Sequence, residues 1–162
     1  MVRDLGELGI NLQKIISRLL ANQDLLKLLY YTDKDPLNGE DIEQDIIDNE
    51  VFEKLVKVVP YVGSTETAKS VISMRVVRGR VNSENSEIRD ISLGIEVFVP
   101  LTQWFIKDSN LRPFKIMGEI QKSLNGKIIN GLGRISGGDF DLNFLTTEMS
   151  CYEMSFGIEQ FD

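Results

Sequence analysis

Three groups of side chains in this 162-residue chain have types and spacings that could carry chemistry. Asp139 and Asp141 stand two apart, which on a β-strand sets both carboxylates on one face, where they could share a proton or act as an acid–base pair. Phe140, Leu142 and Phe144 alternate with them and Asn143 follows, so the wet side of an antiparallel sheet accounts for the same pattern. Asp33, Asp35, Glu40 and Asp41 open a span with eight carboxylates between Asp33 and Glu50, which invites a calcium-loop reading. With Asp33 at position 1, the sixth position holds Asn38 where glycine is needed and the twelfth holds Gln44 where glutamate is needed, so the match fails. A solvated acidic loop or a partner-binding edge remains. The third group is basic: Arg75, Arg78 and Arg80 with Arg89 gather on one candidate hairpin. Such a patch could meet a phosphate backbone or an acidic partner, or pair across strands with Glu84 or Glu87.

Other familiar chemistries find no support. The glycines Gly126, Gly131, Gly133, Gly137 and Gly138 follow a helix and lead into a strand, the reverse of a dinucleotide-binding loop, and read as a helix cap and turns. The chain has no histidine, which removes the commonest proton shuttle and metal ligand. Cys151 is the single cysteine, so no intramolecular disulfide forms, and it reads as a small apolar residue near the core. No cofactor and no metal are expected. A net charge of −7 disfavours broad adhesion to nucleic acid or anionic membrane. No leader-like apolar stretch opens the sequence, and the uncharged run 97–106 is too short to span a bilayer; a soluble protein is the expectation.

The elements that must position these residues follow from periodicity. Phe114, Ile116, Met117, Ile120 and Leu124 share one helical arc opposite Lys115, Glu119, Lys122 and Ser123. Asn110 is the expected N-cap, Pro113 fits the first turn, and Asn125-Gly126 ends the helix. Leu5, Leu8, Leu12, Ile15, Ile16 and Leu19 mark a first helix. The phase breaks at Asn22, which caps a second helix through Tyr30. The acidic segment 33–50 reads as an exposed loop with a helical turn near Val51 to Leu55. Val58 to Val62, interrupted by Pro60, suits an edge strand. Ser70 to Val81 and Ile91 to Val99 form a hairpin about a polar turn at Asn82 to Glu87, with Pro100 stopping the second strand. Trp104 and Phe105 read as core or helix-packing residues. Alternation at 139–144 and 152–159 gives a second hairpin. The length suits one domain, 1–162, and its class is α+β: an antiparallel or mixed sheet of two hairpins packed against N-terminal helices and one central helix.

This order of helices and hairpins, with Leu-Asn-Gly at 124–126, Gly-Leu-Gly at 131–133, a closing aromatic strand from Tyr152 to Phe161 and a Leu-rich first helix carrying Leu19, Leu20, Asn22 and Leu25, resembles the tail-terminator and neck proteins of tailed bacteriophages. The resemblance spans nearly the whole chain and departs from the family pattern at the acidic segment 33–50 and at Gly137-Gly138. It implies a non-enzymatic virion protein, assembled in the host cytoplasm into a ring of commonly six subunits. That ring would cap the tail tube, join it to the head-side connector and let genomic DNA pass without specific binding. Another neck, head-completion or tube protein is the near alternative. A monomeric sheet domain that binds nucleic acid through the Arg-rich hairpin is the distant one, as is a small hydrolase using Asp139 and Asp141. Under the ring reading, Asp33, Asp35, Glu40, Asp41, Arg75, Arg78, Arg80 and Arg89 are the candidate interface residues, since acidic and basic surfaces on one subunit can meet between neighbours.

Overall fold

In the computed structural model, residues 4–59, 69–85 and 89–159 are described; Pro60, Glu87 and Phe161 lie outside them. The chain opens with a 3-10 turn at Leu5–Glu7 and two helices, α1 (Leu8–Leu20) and α2 (Gln23–Tyr30). The break between them falls where the phase change put it: Asn22 accepts a hydrogen bond from the Leu25 N–H at 3.0 Å. A short helix α3 (Gln44–Ile46) runs into a π-turn at Ile47–Val51, followed by strand β1 (Val56–Lys57). Then come β2 (Val71–Val81), β3 (Arg89–Pro100), a small ribbon β4 (Phe105–Ile106) and β5 (Asn110–Leu111), helix α4 (Arg112–Leu124), β6 (Ile128–Ile129), β7 (Gly133–Leu145) and β8 (Met149–Glu159).

The architecture is mixed α+β. Six strands form one curled sheet in the order β1-β2-β3-β8-β7-β6, with β1 parallel to β2 and every other pair antiparallel. Helix α4 lies on β3 and β7, and α1 and α2 pack on α4. Ile116, Ile120 and Leu124 of α4, Ile15 and Leu19 of α1, Leu25 and Leu29 of α2, and Leu93, Ile95, Met154 and Phe156 of the sheet are all buried in one core. The amphipathic arc of α4 therefore does what its periodicity requires, removing its apolar stripe from water.

Several boundaries differ from the sequence reading. Asn110 does not cap α4; it belongs to β5, opposite Ile106, and Leu111 occupies the N-cap without a side-chain bond. The 107–109 turn between β4 and β5 holds Asp108 and Ser109 at φ of 62° and 59°. The helical turn expected near Val51 to Leu55 lies earlier, at 44–51, because Ile42, Ile47 and Val51 bury themselves in the core and pull the acidic segment onto the protein. Gln23 at the start of α2 holds Ile42 on both sides, accepting its N–H at 2.8 Å and donating to its C=O at 3.0 Å. An edge strand is found at Val56–Lys57; of the expected strand Val58 to Val62 only Val58 and Val59 are among the described residues, and both lie in a bend.

Gly126, at φ 74°, ends α4 as expected. Gly133, Gly137 and Gly138 do not form turns: they lie within β7, which starts six residues before Asp139. At Gly137, φ is 123° and an added Cβ would come 2.7 Å from the Ser155 carbonyl oxygen. Only glycine fits that approach, and it sits at the first of two bulges, between Gly137 and Asp139 and between Leu142 and Phe144.

Candidate functional site

The Arg-rich hairpin is built on β2, whose register against β3 shifts between Val76 and Arg78. Before the shift, Arg75 turns inward. Its guanidinium meets Glu96 at 2.6 Å and Glu153 at 3.1 Å, joining three neighbouring strands on the sheet face away from α4. Glu96 is 3% exposed, and its carboxylate also accepts hydrogen bonds from the Asn143 amide at 3.0 Å and the Cys151 thiol at 3.4 Å. A buried carboxylate with this many donors is compensated, whereas one without them would be strongly destabilising. Burial, with the Glu96 charge beside it, pushes the Cys151 thiol up to about 12, which makes it a poor nucleophile. Among the described residues no arginine pairs with Glu84, and Arg75 is neutralised from within the sheet; Glu87, the other expected partner, lies outside the described residues.

After the shift, Arg78 and Arg80 are exposed on the same face and form no ion pair with any described residue. Arg89 begins β3 opposite Val81. The structure thus separates Arg75, a committed charge within the sheet, from Arg78 and Arg80, which are exposed on β2. The acidic candidates separate too. Asp41 pairs with Lys27 at 2.8 Å and Asp35 with Lys107 at 3.2 Å, while the Asp33 carboxylate accepts the Asp35 N–H at 2.8 Å. Glu40 is exposed and its carbonyl accepts the Tyr31 hydroxyl at 2.9 Å. Asp35 sits in a polar hollow of about 360 Å³ between the 34–38 turn and the β4–β5 ribbon, among Lys34, Lys107 and Lys115. The Asp33 carbonyl, with those of Leu28, Tyr31 and Gln103, accepts hydrogen bonds from Arg112, which is completely buried. Burial lowers the Arg112 pKa and the nearby Asp33 charge opposes that shift; the guanidinium stays charged and caps the C-terminal carbonyls of α2.

Asp139 and Asp141 do share a face of β7, opposite Ser155 and Glu153. Neither is enclosed: every residue from Asp139 to Asn143 is exposed. The alternation that predicted a buried Phe140 and Leu142 is not realised as burial, since each is about half exposed, at 51% and 52%. α4 covers the start of β7 and stops short of its end. Phe114, expected on the buried arc of α4, instead packs at the border, its ring 6.1 Å from Phe140 and 5.4 Å from Tyr152.

A site that the sequence reading assigned to the core emerges there. Trp104 packs on Tyr152 at 6.3 Å, and Leu101, Trp104, Phe105, Leu142, Leu145 and Tyr152 line an apolar groove of about 400 Å³. Phe105 is 69% exposed and Leu145 60%. With Phe114 and Phe140 this makes an aromatic rim at the end of the sheet where β3 stops at Pro100. Clustered exposed apolar side chains of this kind mark interaction surfaces, in contrast to single exposed residues. The signal in the sequence was Trp104-Phe105 shortly after Pro100, where the alternating strand has already ended and the amphipathic helix has not yet begun.

The profile of the YomW family matches residues 22–158, from the N-cap of α2 through nearly all of β8. The chain belongs to the YomW family. This family is phage-derived. The match takes in the arginine margin of β2, the acidic stretch of β7 and the aromatic rim, so all three are parts of the YomW-type domain, while α1 lies outside it. No curated protein matches the chain. Among the described residues, no helix of this YomW-family chain is long and apolar enough to cross a membrane, and no three cysteine or carboxylate side chains gather as a metal site.

Proposed function

We propose that this YomW-family protein is a non-enzymatic structural subunit of a phage particle. In this reading its copies form a ring, six by analogy with tail terminators, that caps the tail tube and joins it to the head-side connector. The aromatic rim carries the reading. Phe105, Phe140, Leu142 and Leu145 hold large apolar side chains in water at one end of the sheet, an arrangement that favours a protein partner over a solvated surface. The phage origin of the family and the order of elements support a place in the particle. The net charge of −7 supports a lumen through which DNA passes without sticking, because repulsion between exposed charges reaches about 8 Å at physiological salt.

Deletion of the gene from the phage or prophage that encodes it tests this directly. Filled heads and separate tails, restored to joined particles by the wild-type chain supplied in trans, are the expected result. Infectious particles of normal appearance would overturn the reading. Complementation with a chain carrying Phe105→Ser and Leu145→Ser should fail although the subunit folds, because both side chains are exposed and contribute little to the core.

A further inference from the structure

The six-stranded sheet is open along most of both margins. β1 covers only Ile72 and Ser73 of β2, and β6 with the turn before it covers β7 as far as Ile135, whose C=O accepts from the Gly126 N–H and whose N–H donates to the Lys127 C=O. Beyond these residues each outer strand presents backbone N–H and C=O groups that no described strand pairs, a template for another strand. The two margins differ in charge: Arg78 and Arg80 project from β2, and Asp139 and Asp141 from β7. The registers carry both pairs to the same face, since Arg78 lies opposite Ser92 and Gly157, while Asp139 lies opposite Ser155 and Gly94.

We propose that copies of this chain join head to tail through these margins, β7 of one copy pairing antiparallel with β2 of the next so that Asp139 and Asp141 meet Arg80 and Arg78. The proposal rests on the reading of the protein as a ring subunit and names its contact. Three features of the fold favour it. The four long strands β2, β3, β8 and β7 alternate in direction, so rotation about an axis parallel to them brings β2 of a neighbour antiparallel to β7 and continues the alternation. Regular stretches are available on both strands, Asp139–Leu142 between the two shifts of β7 and Arg78–Val81 beyond the shift of β2, and this register overlaps them at Asp139–Asp141 and Arg78–Arg80. The register that sets Asp139 against Arg80 and Asp141 against Arg78 also sets Phe140 against Gly79, where a large ring has room. Pairing like with like is disfavoured: a two-fold axis on either margin would place aspartates against aspartates or arginines against arginines. Unlike surfaces that meet head to tail generate rings when the rotation closes. The acidic segment 33–50 is a poorer partner for the arginines, because Asp35 and Asp41 already face Lys107 and Lys27.

The test is charge reversal followed by mixing, read as mass by light scattering across protein concentration at low and high salt. A β2 variant carrying Arg78→Glu and Arg80→Glu, and a β7 variant carrying Asp139→Lys and Asp141→Lys, should each stay monomeric with a native circular dichroism spectrum. Their equimolar mixture should associate as the wild type does, because opposite charges again face each other at every junction. Rescue by mixing also shows that both variants are folded. Association of each variant alone to the wild-type mass would overturn the margin contact and leave the ring reading standing. A wild-type chain that stays monomeric at every concentration would overturn the margin contact as a self-association site. In that case gene deletion, which reads the particle and not the isolated chain, decides the ring reading separately.

Discussion

Strands β3 and β7 both pair with β8, one on each side, and meet opposite environments. On β3 every residue from Leu93 to Pro100 is buried, including Gly94 and Glu96, which point away from α4. On β7 six of the seven residues from Asp139 to Leu145 are exposed, including Phe140 and Leu142, which point toward the α4 side. Both stretches have the same alternating pattern of apolar and polar residues. Alternation reports which side chains share a face of a strand; whether anything covers that face depends on where the strand lies in the sheet and where the helix ends. The covered strand carries the stability of the molecule, and the uncovered one is free to carry its contacts.

The sharpest way to break the covered half is to remove Arg112. Its guanidinium satisfies four backbone carbonyls from α2, the following turn and the segment before β4. Arg112→Met should cost roughly 3–5 kcal/mol in urea unfolding, since the Leu28 carbonyl is left buried and unpaired and the other three lose a charged donor in partly buried positions. A loss below about 1 kcal/mol would mean that the cage is not closed to solvent. Next in size is a direct contrast between the two strands. Ile95→Ala on β3 should cost about 2–5 kcal/mol through the cavity it leaves, whereas Leu142→Ala on β7 should stay within about 0.5 kcal/mol. Equal losses would remove the distinction between the strands in the isolated chain.

A smaller effect tests the polar layer beneath β3. Cys151 titrates at about 12 in the folded protein and near 9.0 when exposed, and its neutral thiol is favoured by burial beside Glu96. The folded pKa is raised for an acid, so the stabilisation is complete below pH 9 and is lost as pH rises toward 12. By pH 10.5 the loss is about 2 kcal/mol relative to neutral pH, from roughly 1.4 kcal/mol per unit. Cys151→Ala should flatten that part of the stability curve. The native thiol should also resist a thiol reagent at pH 8 that reacts with the urea-unfolded chain. Rapid native-state labelling would contradict the enclosed position of the residue.

The helices, the two hairpins and the central position of α4 were legible because each rests on a local signal: a phase of 3.6 or 2, a capping asparagine, a proline in a first turn. Asn110 was misread as a cap because a tertiary ribbon, β4 with β5, claimed it. The glycines at 133, 137 and 138 read as turns because a strand with bulges needs a close backbone neighbour, here β8, before such glycines make sense. The aromatic rim was hidden for the same reason. Trp104 and Phe105 have the composition of core, and only the length of α4 relative to β7 leaves the groove beside them uncovered. Arg75 and Arg78 are three apart in sequence, yet a bulge and two acidic strands turn one into an internal ion pair and leave the other outside.

Asn22 sharpens the difference between a local signal and its tertiary use, at the smallest energy. As an N-cap it accepts the Leu25 N–H, and that role was readable from the chain alone. Its amide also donates to the Glu119 carboxylate at 3.1 Å and the Ser123 hydroxyl at 2.9 Å, which ties the start of α2 to α4. In an isolated helix Asn22→Asp would be neutral or favourable, since aspartate caps as well and suits the positive end of the helix dipole. Here it removes these donations, with a third to the Glu119 carbonyl at 3.3 Å, and sets a second carboxylate against Glu119, so the variant should lose about 1 kcal/mol at pH 7. Part of that loss should return as pH falls through the carboxylate range, where protonation of either acid relieves the repulsion and restores a donor. Asn22→Ala, which loses the cap and the donations without adding charge, should be destabilised at both pH values. If the aspartate variant matches wild type at pH 7, Asn22 acts on α2 alone, and α4 is held by its apolar face without help from the cap.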